Sequence, residues 1–217
     1  PDSAEVIVSG GFELTALGYR LLREGDYQVS ATAPGYSPLK RRLTVGSKRN
    51  QTFNFELTKL PGRVGFNSEP PGATIFRNGK EIGTTPFTAP IKAGQSTFRY
   101  SLDRYLDTEI SAVIEGREIA QTLAATLRPA WAEVTIPTTP TGAQVLIDGE
   151  VSNFLTPGPA EILQGEHRVT VVLSGYESWS DLVYVHPEER LALAPIQLKK
   201  AVATVTINSR PEGASIT

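Results

Sequence analysis

Residues 134–149 read VTIPTTPTGAQVLIDG, and the folding of this stretch decides the reading of the rest. Val134 and Ile136 alternate with polar neighbours at a spacing of two, the period of a strand buried on one face. Pro140 then leads a turn, because its ring presets φ near about −65°, and Gly142 accepts a positive φ that a side chain would resist. Ala143 leaves room for close strand packing. A short strand, Gln144 to Ile147, runs into Asp148-Gly149, the strongest short hairpin signal, since both central residues of a type I′ turn need positive φ. Strand, proline-led turn, strand and hairpin turn follow within sixteen residues, and all of these residues are structural.

The same pattern returns along the chain. Pro70-Pro71-Gly72-Ala73, Pro140-Thr141-Gly142-Ala143 and Pro211-Glu212-Gly213-Ala214 repeat the turn, and Pro1-Asp2-Ser3-Ala4 repeats it with Ser3 for Gly. The alanines stand at 4, 73, 143 and 214, steps of 69, 70 and 71 residues, too regular for chance. Ser9-Gly10, Asn78-Gly79 and Asp148-Gly149 keep the step, and each is read as a hairpin turn. Gly25, Gly94 and Gly165 each open a stretch with apolar residues four, six and eight positions on, ending near Tyr36, Tyr105 and Tyr176. Val64/Phe66, Val134/Ile136 and Val205/Ile207 precede the turn by six and four residues. Leu57, Leu127 and Leu198 close each repeat.

Six or seven short strands in about 70 residues, punctuated by Gly, Pro, Asn and Asp, make each repeat a small β-sandwich. The fold class is therefore all-β, a tandem array of small Ig-like or prealbumin-like sandwiches. The repeats are 1–60 without its opening strand, 61–129, 130–199, and at 200–217 the opening strand and turn of a fourth. The 217-residue chain has no Met even at position 1 and stops inside a repeat, so it is read as a piece of a longer polypeptide continuing with an apolar residue and Asp-Gly or Asn-Gly. REIAQTLAATL, residues 117–127, has helical propensity, but the register of the repeat assigns it to a strand. The tyrosine near the end of each central strand is a candidate corner residue with its hydroxyl on backbone. Linkers such as TKLPGR, RPAW and LKKA are too short for free tumbling, and contacts with the next repeat support a sandwich too small to stand easily alone.

These motifs resemble the PEGA-domain repeats of prokaryotes, named for the tetrapeptide at Pro211–Ala214. The likeness covers the chain and is best in the third repeat, VTIPTTPTGAQVLIDG followed by TPGPAEILQGEHRVTVVLSGYESW. The family's Gly-x-x-Pro segment survives as Gly83–Pro86 and in part as Leu155–Pro157. The first repeat departs most, with Ser3 and no clear Thr-Pro, and the second carries Arg104 where the others have Gly35 and Gly175. The resemblance implies an extracytoplasmic module, periplasmic or on the cell surface, without catalytic residues and often strung beside a signalling or enzymatic domain.

The residues offer little chemistry of their own. A net charge of −2 gives no field toward nucleic acid or an anionic membrane, and no apolar run approaches the roughly 20 residues that span a bilayer. The absence of Cys excludes disulfides, thiol catalysis and Cys-ligated zinc. His167 and His186 have no Cys, His or carboxylate partner at ligand spacing. No G-x-S-x-G, phosphate-binding loop or twelve-residue calcium loop is present, and no cofactor is expected. Asn50-Gln51-Thr52 fits a glycosylation pattern without consequence in a prokaryotic chain.

Two features invite a functional reading. LKRRLTVGSKRN places Lys40, Arg41, Arg42, Lys48 and Arg49 on two strands around a turn, suited to an acidic glycan, lipid headgroups or an acidic partner, or else to protecting an exposed sheet edge. It lacks the aromatic interleaving of a nucleic-acid platform. Trp131, at a junction, is read as packing one repeat on the next, and Trp179 as either core or an exposed contact. The leading expectation is a semi-rigid spacer or protein-protein scaffold, elongated in scattering, each repeat adding roughly 30–40 Å at about 3.3 Å per residue. The alternatives are a cell-wall or surface polysaccharide-binding module, or the sensory part of a larger signalling protein or enzyme. Val202–Ser209, a strand without a repeat, is expected to dock on the third repeat or to enter another copy's first repeat by strand exchange.

Overall fold

The computed structural model describes residue 1, residues 3–16 and residues 19–202 of the chain. Its contacts divide it into two compact units, Pro1–Asp103 with Asp107–Leu127, and Arg104–Leu106 with Arg128 onward. The first unit holds the first two repeats and the second holds the third. Every regular element among the described residues is a strand. Residues 117–127 follow the repeat and not their propensity, and Ala120–Thr126 is a strand.

In the third repeat the strands are β13 (Trp131–Ile136), β14 (Thr138–Thr139), β15 (Gln144–Ile147), β16 (Glu150–Leu155), β17 (Gly158–Leu163), β18 (Gly165–Val172), β19 (Trp179–Val185), β20 (Arg190–Ala192) and β21 (Ile196–Gln197). One sheet runs β16-β15-β18-β19 and the other β17-β13-β20, with β14-β21 continuing it. Pro137 cannot donate a ladder hydrogen bond, and β13 stops before it. The two sheets close on one core, Val134, Ile136, Ala160 and Ile162 against Val145, Val169, Val171, Val183 and Val185. Each burial of such a side chain contributes about 1.5–3 kcal/mol.

The second repeat has the same plan in β6 (Gly62–Glu69), β7 (Thr74–Arg77), β8 (Lys80–Thr84), β9 (Phe87–Ile91), β10 (Gly94–Ser101), β11 (Thr108–Ile114) and β12 (Ala120–Thr126). The sheets are β11-β10-β7-β8 and β12-β6-β9. The opening strand β6 lies between β9, antiparallel, and the closing strand β12, parallel. Its inward Val64 and Phe66 are fully buried, and the Phe66 ring meets those of Phe87 and Phe98 at 4.9 Å each. Tyr100, on β10, donates its hydroxyl to the Leu123 carbonyl on β12 at 3.2 Å and so ties one sheet to the other; burial pushes its pKa up to about 12.

The first repeat comprises β1 (Glu5–Ser9), β2 (Glu13–Ala16), β3 (Tyr19–Leu22), β4 (Gly25–Thr32) and β5 (Leu39–Val45). Its sheet β1-β4-β5 matches β7-β10-β11, but among the described residues β2 pairs only with β3. This corrects the expectation of a hairpin turn at Ser9-Gly10. In the later repeats both residues of that turn have positive φ, 51° and 75° at Asn78-Gly79 and 52° and 89° at Asp148-Gly149, whereas here Gly10 alone does. The Tyr27 ring supplies a reason, filling the place a Cβ on Gly11 would take, 2.8 Å away, while its hydroxyl bonds Phe12 and Arg23 backbone. Among the described residues no strand of the first repeat takes the place of β6. Residues 51–57, which correspond to the closing strand β12, pair with no strand among the described residues, and Phe53 and Phe55 are 42% and 37% exposed.

Candidate functional site

The five cations singled out in the sequence do not form one patch. Lys40, Arg41 and Arg42 lie on β5, an edge strand, opposite Ser30, Val29 and Gln28 of β4. Alternation gives Arg41 the inward parity of Leu43 and Val45, at the open end of the sandwich, where it lines a hollow with Tyr36, Leu39, Phe55 and Thr58. Lys40 and Arg42 have the outward parity. Lys48 and Arg49 stand in the segment after β5, not on a second strand, and line a different groove, facing Tyr19, Leu21 and Leu22 of β3.

Trp179 opens β19 at the inward position and packs, half-buried, against the third repeat's core. Trp131 lies under the Arg104 guanidinium, 5.9 Å from its ring centre, and Arg104 also pairs with Glu161 at 2.7 Å; these residues all belong to the second compact unit. His167, inward on β18, has a carboxylate partner that sequence spacing did not reveal, with Nδ1 2.6 Å from Asp148 Oδ2. The other Asp148 oxygen accepts the Arg168 N–H at 2.8 Å, so this side chain fastens the Asp-Gly turn to β18. Among the described residues no three His, Cys, Asp or Glu side chains gather as a metal site would require.

Four hydroxyls that motif reading passed over hold the two turns of the second and third repeats together, two in each. The Thr138 hydroxyl donates to the Pro140 carbonyl at 2.7 Å and lies 2.5 Å from Thr156 Oγ1, which accepts the Ala143 N–H at 3.0 Å. With the Thr138 proton on Pro140, the Thr156 hydroxyl is the donor between the pair. Ser68 and Thr85 repeat this in the second repeat, with Ser68 on Pro70 at 2.7 Å, Thr85 at 2.6 Å from Ser68, and the Ala73 N–H on Thr85 at 3.0 Å. Thr85 and Thr156 are 4% and 3% exposed, so each hydroxyl satisfies groups that water does not reach. All four peptide bonds that lead into Pro70, Pro86, Pro140 and Pro157 are cis. The signal in the sequence was a Ser or Thr two residues before the motif's first proline and a Thr-Pro twelve or thirteen residues after its alanine.

The residues between repeats form the third construction. Within the first unit, Leu60 donates to the Gly35 carbonyl at 2.9 Å and Ser37 to that of Thr58 at 2.8 Å. From the other side, Arg117 donates to Leu60 at 2.7 Å and Glu118 to Pro61 at 3.0 Å. The turn at Gly35 comes so near the turn at Arg117 that a Cβ on Gly35 would lie 2.6 Å from that of Arg117. Inside the second unit, Leu106 and Ala130 bond Arg128 and Arg104 at 2.8 Å, and Gln164 and Glu188 bond Ala130 and Trp131. Glu177 and Ala201 then bond Lys199 and Gly175 at the chain's last described residues. Tyr36, Tyr105 and Tyr176 mark these turns through isolated backbone bridges to Lys59, Pro129 and Lys200. The corner-tyrosine expectation is thus corrected: among the described residues the tyrosine hydroxyls recorded on backbone carbonyls are those of Tyr27 and Tyr100.

An all-β chain of tandem repeats of about 70 residues, two of them two-sheet sandwiches, with no cluster of metal-ligating side chains among the described residues, defines a class of tandem repeat modules. The profile of the PEGA domain matches residues 62–130 and 131–200, well over half of the chain, and the chain belongs to the PEGA-domain family. PEGA domains are non-catalytic modules generally found in extracytoplasmic proteins. No curated protein matches the chain. A solved structure similar to it is that of the Bacillus anthracis TIE protein, with a TM-score of 0.43 and 15% identity, over 92% of this chain and 47% of that one. The chain thus spans about half the length of that structure. No helix among the described residues is long and apolar enough to cross a membrane.

Proposed function

We propose that the chain is a semi-rigid spacer or protein-protein scaffold of the cell envelope, holding neighbouring parts of a protein at a set separation rather than performing chemistry. The observation that carries this reading is the linker at residues 58–62. Its backbone is bonded by the first repeat at Gly35 and Ser37 and by the second at Arg117 and Glu118. A flexible tether leaves such groups to water; here both neighbours bond them, so bending at this point breaks hydrogen bonds worth about 0.5–1.5 kcal/mol each. Membership of a family of non-catalytic modules supports the same reading.

The chain has no Cys, so two introduced cysteines can be labelled without competition. With dyes at the exposed positions Thr44 and Lys80, single-molecule energy transfer is expected to give one narrow distance distribution, insensitive to salt, up to the unfolding transition. A broad distribution that widens as glycines are inserted after Lys59 overturns the spacer reading.

A further inference from the structure

We propose that the outer face of the third repeat's larger sheet is a docking surface for a protein partner that presents aliphatic side chains among lysines and arginines. The sheet β16-β15-β18-β19 buries one face in the core and turns the other to water. Pairing sets Leu155 beside Gln144 and Val172, Val151 beside Leu146, and Leu182 and Tyr184 beside Arg168 and Glu166, all on that outer face. Val151, Leu155, Val172, Leu182 and Tyr184 are between 42% and 63% exposed. Single exposed apolar residues need no explanation, whereas a contiguous patch of them edged by charge marks an interaction surface. The second repeat shows that the fold does not require this patch. Its sheet β11-β10-β7-β8 has Glu81, Thr84, Ser101 and Ser111 at the places of Val151, Leu155, Val172 and Leu182, and keeps Val113 at that of Tyr184. Phe76, at the place of Leu146, lies under the Arg99 guanidinium, 4.4 Å from its ring centre, and Arg99 pairs with Asp107. Thr170, in the place of Arg99, is too short to roof Leu146 in this way.

Charge selects the occupant; residues 203–209, expected from the sequence to dock as a strand, lie outside the described residues. Residues 130–199 carry nine Asp and Glu against three Lys and Arg, where residues 61–129 carry seven against eight. Asp148, Glu150, Glu166 and Asp181 stand exposed around the patch, with Arg168 the cation beside them. An aliphatic strip with an acidic rim is complementary to a surface whose apolar groups are ringed by cations, and the rim steers such a partner and repels an acidic one. Four of the five exposed apolar residues are aliphatic and lack the polar groups that hydrogen-bond a sugar, which favours a protein over a polysaccharide. Four strands about 4.8 Å apart, of about six residues at about 3.3 Å each, present roughly 400 Å², about half of one side of a standard protein interface, so the contact is weak and reversible. The proposal deepens the scaffold reading above and rests on it, naming where a partner would be held.

The test uses the 217-residue chain. The probe is a short synthetic peptide of alternating leucine and lysine, with its leucine-glutamate counterpart as control. The first should shift the amide signals of Val151, Val172, Leu182 and Tyr184 and leave those of Glu81, Thr84, Ser101 and Ser111 in place; the second should shift neither set. The double variant Val172→Ser/Leu182→Ser, which installs the second repeat's residues at exposed positions, should keep the wild-type thermal midpoint and bind the lysine peptide at least about 10-fold more weakly. Glu150→Lys/Glu166→Gln, again the second repeat's residues, should weaken binding by about 10-fold and flatten its dependence on salt. Equal shifts on the second repeat, equal binding of the glutamate peptide, or unchanged binding by the serine variant overturns the proposal. Shifts of the same signals by soluble peptidoglycan fragments, without shifts by the lysine peptide, assign the face to a glycan and overturn it as well. Neither variant touches the 58–62 linker, so the distance distribution there reports on the spacer reading separately.

Discussion

Thr156 stands where two turns meet, and its hydroxyl both gives and accepts a hydrogen bond away from water. Replacing it by Val keeps the volume but leaves the Ala143 N–H without its acceptor and Thr138 without its donor. Thr156→Val is therefore expected to destabilise the third repeat by about 2–3 kcal/mol in urea unfolding, and Thr156→Ser by less than about 1. Asp148 makes a prediction in pH. The His167 hydrogen bond first, and the Arg168 N–H second, hold its pKa below the ordinary 3.8. The folded state favours the carboxylate, so this contribution is present above the ordinary value and is lost as pH falls through the lowered one. Asn serves the same turn at Asn78 with a similar φ, which makes Asp148→Asn a clean comparison. Between about pH 6 and about pH 2.5 the thermal midpoint of the third repeat should fall less in the variant than in the wild type. Parallel curves would refute the assignment.

At the scale of the elements, the turns that grip the linkers show how one backbone shape meets different surroundings. Gly35, Arg104 and Gly175 occupy the same column with φ of 78°, 63° and 79°. A Cβ on Gly175 would meet nothing within 4 Å, whereas one on Gly35 would press on Arg117 at 2.6 Å. Gly175→Ala should thus carry only the backbone term, about 1 kcal/mol, and Gly35→Ala about 2 kcal/mol or more. Hydrogen exchange at the Leu60 amide should quicken in Gly35→Ala and remain unchanged in Gly175→Ala. Arg104 accepts the left-handed backbone with a side chain that lies on Trp131 and pairs with Glu161. That pair is exposed and contributes about 0–1 kcal/mol, so it roughly offsets the backbone term.

At the scale of the molecule, the repeats differ in how much core they own. The third gathers its valines and isoleucines from two facing sheets, while the first has Val8, Tyr27, Val29, Leu43 and Val45 with Leu22 beside them. Among the described residues, 51–57 pair with no strand, Phe53 and Phe55 face water, and β2 pairs with β3. The distance distribution across the 58–62 linker is the measurement at this scale. It tests whether the linker holds its neighbours.

The amino-acid sequence determined the period throughout and the strands and turns of the second and third repeats. An alternation of two repeated about every 70 residues sufficed, because a register slip of one would turn every Val and Ile of a strand to water. It also overrode the helical propensity of residues 117–127. Only the tertiary structure decided what the polar residues do. Thr156 and Thr138 are eighteen positions apart, and Asp148 and His167 nineteen. No local rule joins them until two turns fold together and exclude water. It likewise separated Lys40, Arg41, Arg42, Lys48 and Arg49, close in the chain, onto different surfaces, since alternation along β5 and the end of that strand send neighbouring side chains in opposite directions.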